Sequence, residues 1–90
     1  MMNRLIIDGN TIHSREEFFE TLRTQLGEDR LTGSNLDALY DALTSITQHT
    51  VIELKNKPQL ENTLGEYWQK ITWVLNDCLE ENRDLKLEEN

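Results

Sequence analysis

The chain has 90 residues, with 9 Lys and Arg against 17 Asp and Glu and a net charge of −8, which is the size of a single domain, expected over residues 1–90. That charge argues against a binder of nucleic-acid backbones or of anionic membrane surfaces, both of which need clustered cations. No apolar run approaches the roughly 18 residues of a membrane span, and no signal-type apolar segment follows Met1; with one cysteine, Cys78, no internal disulfide forms and the expected compartment is the reducing cytoplasm.

Arg4-Leu5-Ile6-Ile7 is a β-rich run closed by the turn signal Asp8-Gly9-Asn10, and reads as a first strand. Ser14 and Glu17 have the spacing of a capping box. Phe18, Phe19, Leu22 and Leu26 then fall on one helical stripe, and Gly27 ends that helix. Glu28 to Gly33 is a loop. Ser34 is the expected N-cap of a short second helix, with Asp37 in its first turn and an apolar stripe of Leu36, Leu39, Tyr40 and Leu43.

Thr50-Val51-Ile52-Glu53-Leu54 is a second β-rich run. Pro58 opens one or two helical turns through Leu60 and Leu64, which Gly65 interrupts. Glu66 to Asn82 is the longest periodic segment. Tyr67, Ile71, Val74, Leu75 and Cys78 share a face, Asn82 serves as C-cap, and Leu85-Lys86-Leu87 alternates as a last strand. The order is β-αα-β-αα-β. Strands joined by helical crossovers give an α/β fold: a three-stranded parallel sheet packed with four helices.

Chemistry-bearing motifs are scarce. There is no phosphate-binding Gly loop, no H-E-x-x-H and no C-x-x-C, so no catalytic residue, metal site or cofactor is assigned. His13 and His49 have no ligand spacing. Asp37 and Asp41 are an i, i+4 carboxylate pair, a pattern too common to imply metal or acid–base chemistry. Cys78 lies on a core stripe, where thiols are ordinarily inert.

The distribution of positive charge is more informative. Leu31 to Leu54 contains no Lys or Arg, yet holds Asp37, Asp41 and Glu53, so the loop and second helix are expected to form a negative patch. Like charges at i, i+4 cost an isolated helix roughly 0.2–0.5 kcal/mol. Tyr40 stands beside these acids, and Ala38 and Ala42 are expected to leave the face flat. Such a face suits protein binding, and equally a plain solvated surface; spacing alone leaves both open. Trp73 points away from the core stripe of its helix. It either packs on a neighbouring helix, the commoner outcome, or marks a second contact surface.

Leu31-Thr32-Gly33-Ser34-Asn35-Leu36-Asp37-Ala38-Leu39-Tyr40-Asp41-Ala42-Leu43-Thr44 resembles the signature of the barstar family of intracellular ribonuclease inhibitors. Asn35 to Asp41 is the most specific part, and element order and length agree over essentially the whole chain. The resemblance implies a stoichiometric inhibitor whose second helix and preceding loop plug the active site of a basic, barnase-like ribonuclease or ribonuclease toxin domain. Asp41 would take the place of the substrate phosphate, Asp37 would meet further basic groups, and Tyr40 would pack at the rim. Leu31, Thr32, Gly33, Asn35, Ala38 and Thr44 match contact positions around them. Asp77 and Glu81 match acidic contacts on the fourth helix. An immunity role, no direct nucleic-acid or membrane partner, and a monomer when free are further implications.

This sequence departs from the family pattern in four places. Leu31 and Thr32 stand where the loop is aromatic, Tyr40 and Ile46 replace tryptophans, and Asp77 is one methylene shorter than its counterpart. The acids are kept while the aromatic anchors change, which implies a conserved mode of binding and a different partner. A second reading keeps the interaction module and gives it a non-nuclease partner with a basic groove.

Overall fold

The computed structural model describes residues 3–90. Its three strands, β1 (Asn3–Asp8), β2 (Thr50–Lys55) and β3 (Leu85–Glu89), form one parallel sheet with β2 in the middle. The helices are α1 (Arg15–Leu26), α2 (Leu36–Thr44), α3 (Lys57–Leu64) and α4 (Glu66–Glu81). This is the α/β arrangement expected from the element order.

Position in the sheet explains strand composition. Central strand β2 is buried from Thr50 to Leu54, whereas β1 alternates, turning Leu5 and Ile7 inward and Arg4 and Ile6 outward. A strand paired on both sides reads as a continuous apolar run, and an edge strand does not. Register places Leu5 beside Ile52 and Ile7 beside Leu54. Glu53, the exception in β2, accepts from Arg4 at 3.2 Å, lies 3.9 Å from the Lys55 ammonium, and also accepts from the Asn90 amide. Its charge is therefore compensated on the sheet, and Glu53 does not belong to the negative patch of the 31–54 window.

Local chemistry sets the helix boundaries. Ser14 Oγ accepts from the Glu17 amide at 3.1 Å, while Glu17 reaches back to accept from the amide of His13 (2.7 Å), one residue beyond the usual target of a capping box. Gly27 closes α1 by donating to Arg23 O. Gly65 joins α3 to α4 with φ 57° and ψ −129°, a backbone conformation that other residues adopt only with strain. Phe18, Phe19, Leu22, Leu39, Leu43, Ile71, Leu75 and Cys78 fill the core between sheet and helices.

Two expectations for α4 need correction. Trp68 enters the core at 2% exposure, while Tyr67 and Val74 are half-buried at its edge. The Tyr67 ring carries the Arg15 guanidinium at 4.1 Å and meets the edge of Phe19, which gives it a surface role. Trp73 does not pack on a neighbouring helix; it is 66% exposed. Among the described residues no helix is long and apolar enough to cross a membrane.

Candidate partner-binding surface

Segment 28–35 is pinned from two sides. Leu31 is completely buried and anchors the loop in the core. Arg23, in the last turn of α1, donates through Nε to Leu31 O (2.9 Å) and through Nη2 to Gly33 O (3.0 Å) and Ser34 Oγ (2.9 Å). One planar guanidinium thus holds three loop acceptors, a geometry lysine cannot reproduce. The cation next to the acidic helix is spent inward on the loop. A Cβ on Gly33 would lie 3.1 Å from that of Ala38, so the absence of a side chain lets the loop lie close against the first turn of α2.

Helix α2 starts one residue later than expected. Asn35 is its N-cap, accepting from the Ala38 amide at 2.8 Å, because the Ser34 hydroxyl is engaged by Arg23. Leu39, Ala42 and Leu43 face the core, Leu36, Ala38 and Tyr40 are half-buried, and Asp37 and Asp41 are exposed. Ala42 is therefore a core residue rather than part of a flat outer face. At the other end, Thr44 Oγ1 donates to Tyr40 O (2.7 Å) and Ser45 Oγ to Asp41 O (2.6 Å), which terminates the helix.

Helix α4 packs along α2, and its C-cap residue links the two ends. Asn82 is buried and donates from Nδ2 to Leu43 O (3.0 Å) and Ile46 O (2.8 Å), while its Oδ1 accepts from the Asp84 amide (3.0 Å). This cross-link fixes how the acids of the two helices face each other. Tyr40 records the result: its phenol is pushed above the ordinary tyrosine range by desolvation, then by Glu81, Cys78, Asp77 and Asp41. Burial pushes the Cys78 thiol up to about 11, with Asp77 adding to the effect.

The fold thus gathers Tyr40, Asp41, Asp77 and Glu81, with Asp37 one turn back along α2 and Gly33, Asn35 and Ala38 at its start. Thr32 is exposed at the loop tip. Leu31 and Thr44 stand apart: Leu31 is core, and the Thr44 hydroxyl is used within the helix. Among the described residues, Asp37, Asp41, Asp77 and Glu81 have no ion pair and no side-chain hydrogen bond; the ion pairs that form lie elsewhere. No group of three or more potential metal ligands gathers among the described residues. Three exposed, uncompensated carboxylates beside a half-buried phenol, with Asp37 one turn back along α2, form a surface dominated by acceptors. Its natural complement is guanidinium, ammonium or imidazolium.

Residues 2–88 match the family model described as Barstar (barnase inhibitor). The chain belongs to the barstar family. It is also 32% identical over 84 residues to the Bacillus subtilis (strain 168) protein named "Putative ribonuclease inhibitor YrdF", a match covering 92% of each chain. Within this family frame the departures acquire locations. Leu31 and Ile46, two of the positions that the resemblance marks as departures from the family pattern, are buried. Tyr40 is the aromatic that remains beside the acids. Residue reasoning missed Arg23 and the cross-helix role of Asn82, because their partners are backbone carbonyls distant in sequence and no side-chain spacing announces them.

Proposed function

We propose that this chain is a stoichiometric protein inhibitor of a basic ribonuclease, barnase-like or the ribonuclease domain of a toxin. It acts as a single domain in the cytoplasm, in the manner of an immunity protein, with no catalysis of its own. The uncompensated acids Asp41, Asp77 and Glu81 around Tyr40, with Asp37 one turn back along α2, carry the reading. Membership of the barstar family and the name of the Bacillus subtilis relative support it.

The mechanism follows from charge. A ribonuclease cleft holds cations arranged for phosphate, and a rigid acidic helix offers them the same charge without a scissile bond. Long-range attraction accelerates encounter and is screened by salt. Once seated, Asp41 meets the cations that would bind the substrate phosphate, Asp37 the adjoining ones, and Asp77 and Glu81 those on the α4 side. Tyr40 packs at the rim. Desolvating these acids is costly, and cationic partners in good geometry offset that cost. The loop 31–35, held by Arg23 and Leu31 before the partner arrives, loses little entropy on binding.

Competition tests the reading. Barnase titrated with this chain in a calorimeter, with and without a nucleoside 3′-phosphate in the cleft, should show an apparent Kd that rises linearly with nucleotide concentration once the cleft is occupied. Binding indifferent to the nucleotide would contradict active-site blockade and favour a module that binds elsewhere.

A further inference from the structure

We infer that Trp73 is a further partner-binding residue: an exposed aromatic platform for a cationic side chain at the rim of the ribonuclease. The inference rests on the ribonuclease-inhibitor reading and extends its surface along α4. Trp73 is 66% exposed, whereas the other exposed large apolar residues, Ile6 (36%) and Leu87 (37%), belong to the sheet. An indole left so open on a well-packed helix gains nothing from the fold of the free chain.

Its position ties it to the acids. Trp73, Asp77 and Glu81 follow one another at steps of four on α4. Each step carries the side chain about 6 Å along the same side of the helix. The line ends beside Tyr40, since Asp77 and Glu81 both act on that phenol. The indole therefore continues the acidic surface by one turn. Lys70, three residues before Trp73, bounds it at the far end.

The chemistry selects the occupant. The face of an indole ring is electron-rich and attracts guanidinium or ammonium. With the Asp77 carboxylate one turn away, the attraction is additive. A basic enzyme offers such groups around its cleft. A second copy of this chain does not fit, because a symmetric contact through Trp73 would bring the Asp77 and Glu81 carboxylates of two chains of net charge −8 together. The loop 28–35 carries no aromatic residue. Trp73 and Tyr40 thus supply the aromatic area, and Trp and Tyr are both enriched among dominant interface contacts.

The experiment uses the full chain labelled with 5-fluorotryptophan, barnase as probe, and the variants Trp73→Ala, Trp73→Phe and Asp41→Ala. The label gives one resonance for buried Trp68 and one for Trp73. On adding barnase the Trp73 resonance should move while that of Trp68 stays. Trp73→Ala should inhibit about tenfold or more weakly with an unchanged melting temperature, and Trp73→Phe should keep most of the inhibition. If Trp73→Ala inhibits like wild type while Asp41→Ala fails, the inference is overturned and the inhibitor reading stands. If the wild type neither inhibits nor shifts, both fall together. A Trp73 resonance that moves with the chain's own concentration, without barnase, would assign the residue to self-association and also overturn the inference.

Discussion

Replacing Arg23 with Ala should loosen the loop 28–35 while leaving the acidic helix intact. The guanidinium donates to Leu31 O, Gly33 O and Ser34 Oγ at 2.9–3.0 Å. Each hydrogen bond from a charged group is worth about 1.5–3 kcal/mol when buried. The loop oxygens can regain water once the side chain is gone, so the three do not sum, and the loss of the surface pair with Glu20 adds at most about 1 kcal/mol. The expected fall in unfolding free energy is about 1.5–3 kcal/mol, equivalent to the value of one such bond. Urea titration reads that number, and amide exchange locates it. The amides of Arg30 and Leu31, which bond to Gly27 O within the turn, should exchange faster than in the wild type, while Leu39, bonded to Asn35 O, should not. Toward a basic ribonuclease the variant is one unit more negative, so association should hold or quicken. Dissociation should accelerate, because the loop must be ordered at each encounter. Arg23→Lys should not rescue, since one ammonium cannot span the three acceptors. Unchanged exchange at Arg30 and Leu31, together with unchanged dissociation, would refute the claim that Arg23 organises the surface.

Other substitutions test the remaining supports. Asn82→Ala strips Leu43 O and Ile46 O of a buried donor and should cost about 2–4 kcal/mol in urea unfolding; a neutral result would remove the cross-link between α2 and α4. Asp41→Ala should stabilise the free chain by up to about 1 kcal/mol, through relieved i, i+4 repulsion and better helix propensity, so a higher urea midpoint accompanied by lost inhibition would mark an acid kept for binding. The Cys78 thiol, raised from 9.0 to about 11 by burial, should resist a disulfide reagent at pH 8 until the chain unfolds. Its folded pKa lies above the unfolded one, so its contribution is complete below pH 9 and is lost as pH rises toward 11. Tyr40, shifted in the same direction, steepens the loss. Stability that stays flat over that range would contradict the burial of the thiol.

Much of the fold was legible because its signals are local. The run Arg4–Ile7, the Ser14/Glu17 spacing, Gly27 and Gly65 each act within a few residues, and the structure uses each of them. The outcome differs where two local solutions compete or where partners are remote. Ser34 and Asn35 are both good N-caps, and the choice falls to Asn35 because Arg23, eleven residues before Ser34, takes the serine hydroxyl. Glu53 reads as part of a charge window in sequence, yet on the sheet it lies within ion-pair reach of Arg4 on the neighbouring strand and of Lys55 two residues along its own. The acids Asp37 and Asp41 were visible as a spacing. That Asp77 and Glu81 join them around Tyr40 depends on the packing of α4 on α2, to which only the family resemblance pointed. Leu31 looks like a loop residue and is core, because it is the one large apolar side chain between Gly27 and Leu36 and the loop folds it inward.

The central claim is that the acidic surface of α2 blocks a ribonuclease. RNA cleavage by barnase, followed while this chain or its Asp41→Ala variant is added at low and at high salt, tests it most directly. Activity should fall linearly to zero at one equivalent of wild type, inhibition should weaken at high salt, and the variant should lose more than a hundredfold in affinity, about 3 kcal/mol for leaving a buried cation unpaired. Cleavage that continues undiminished at micromolar excess would remove barnase as the target, and an Asp41→Ala variant as potent as wild type would contradict the claim for α2.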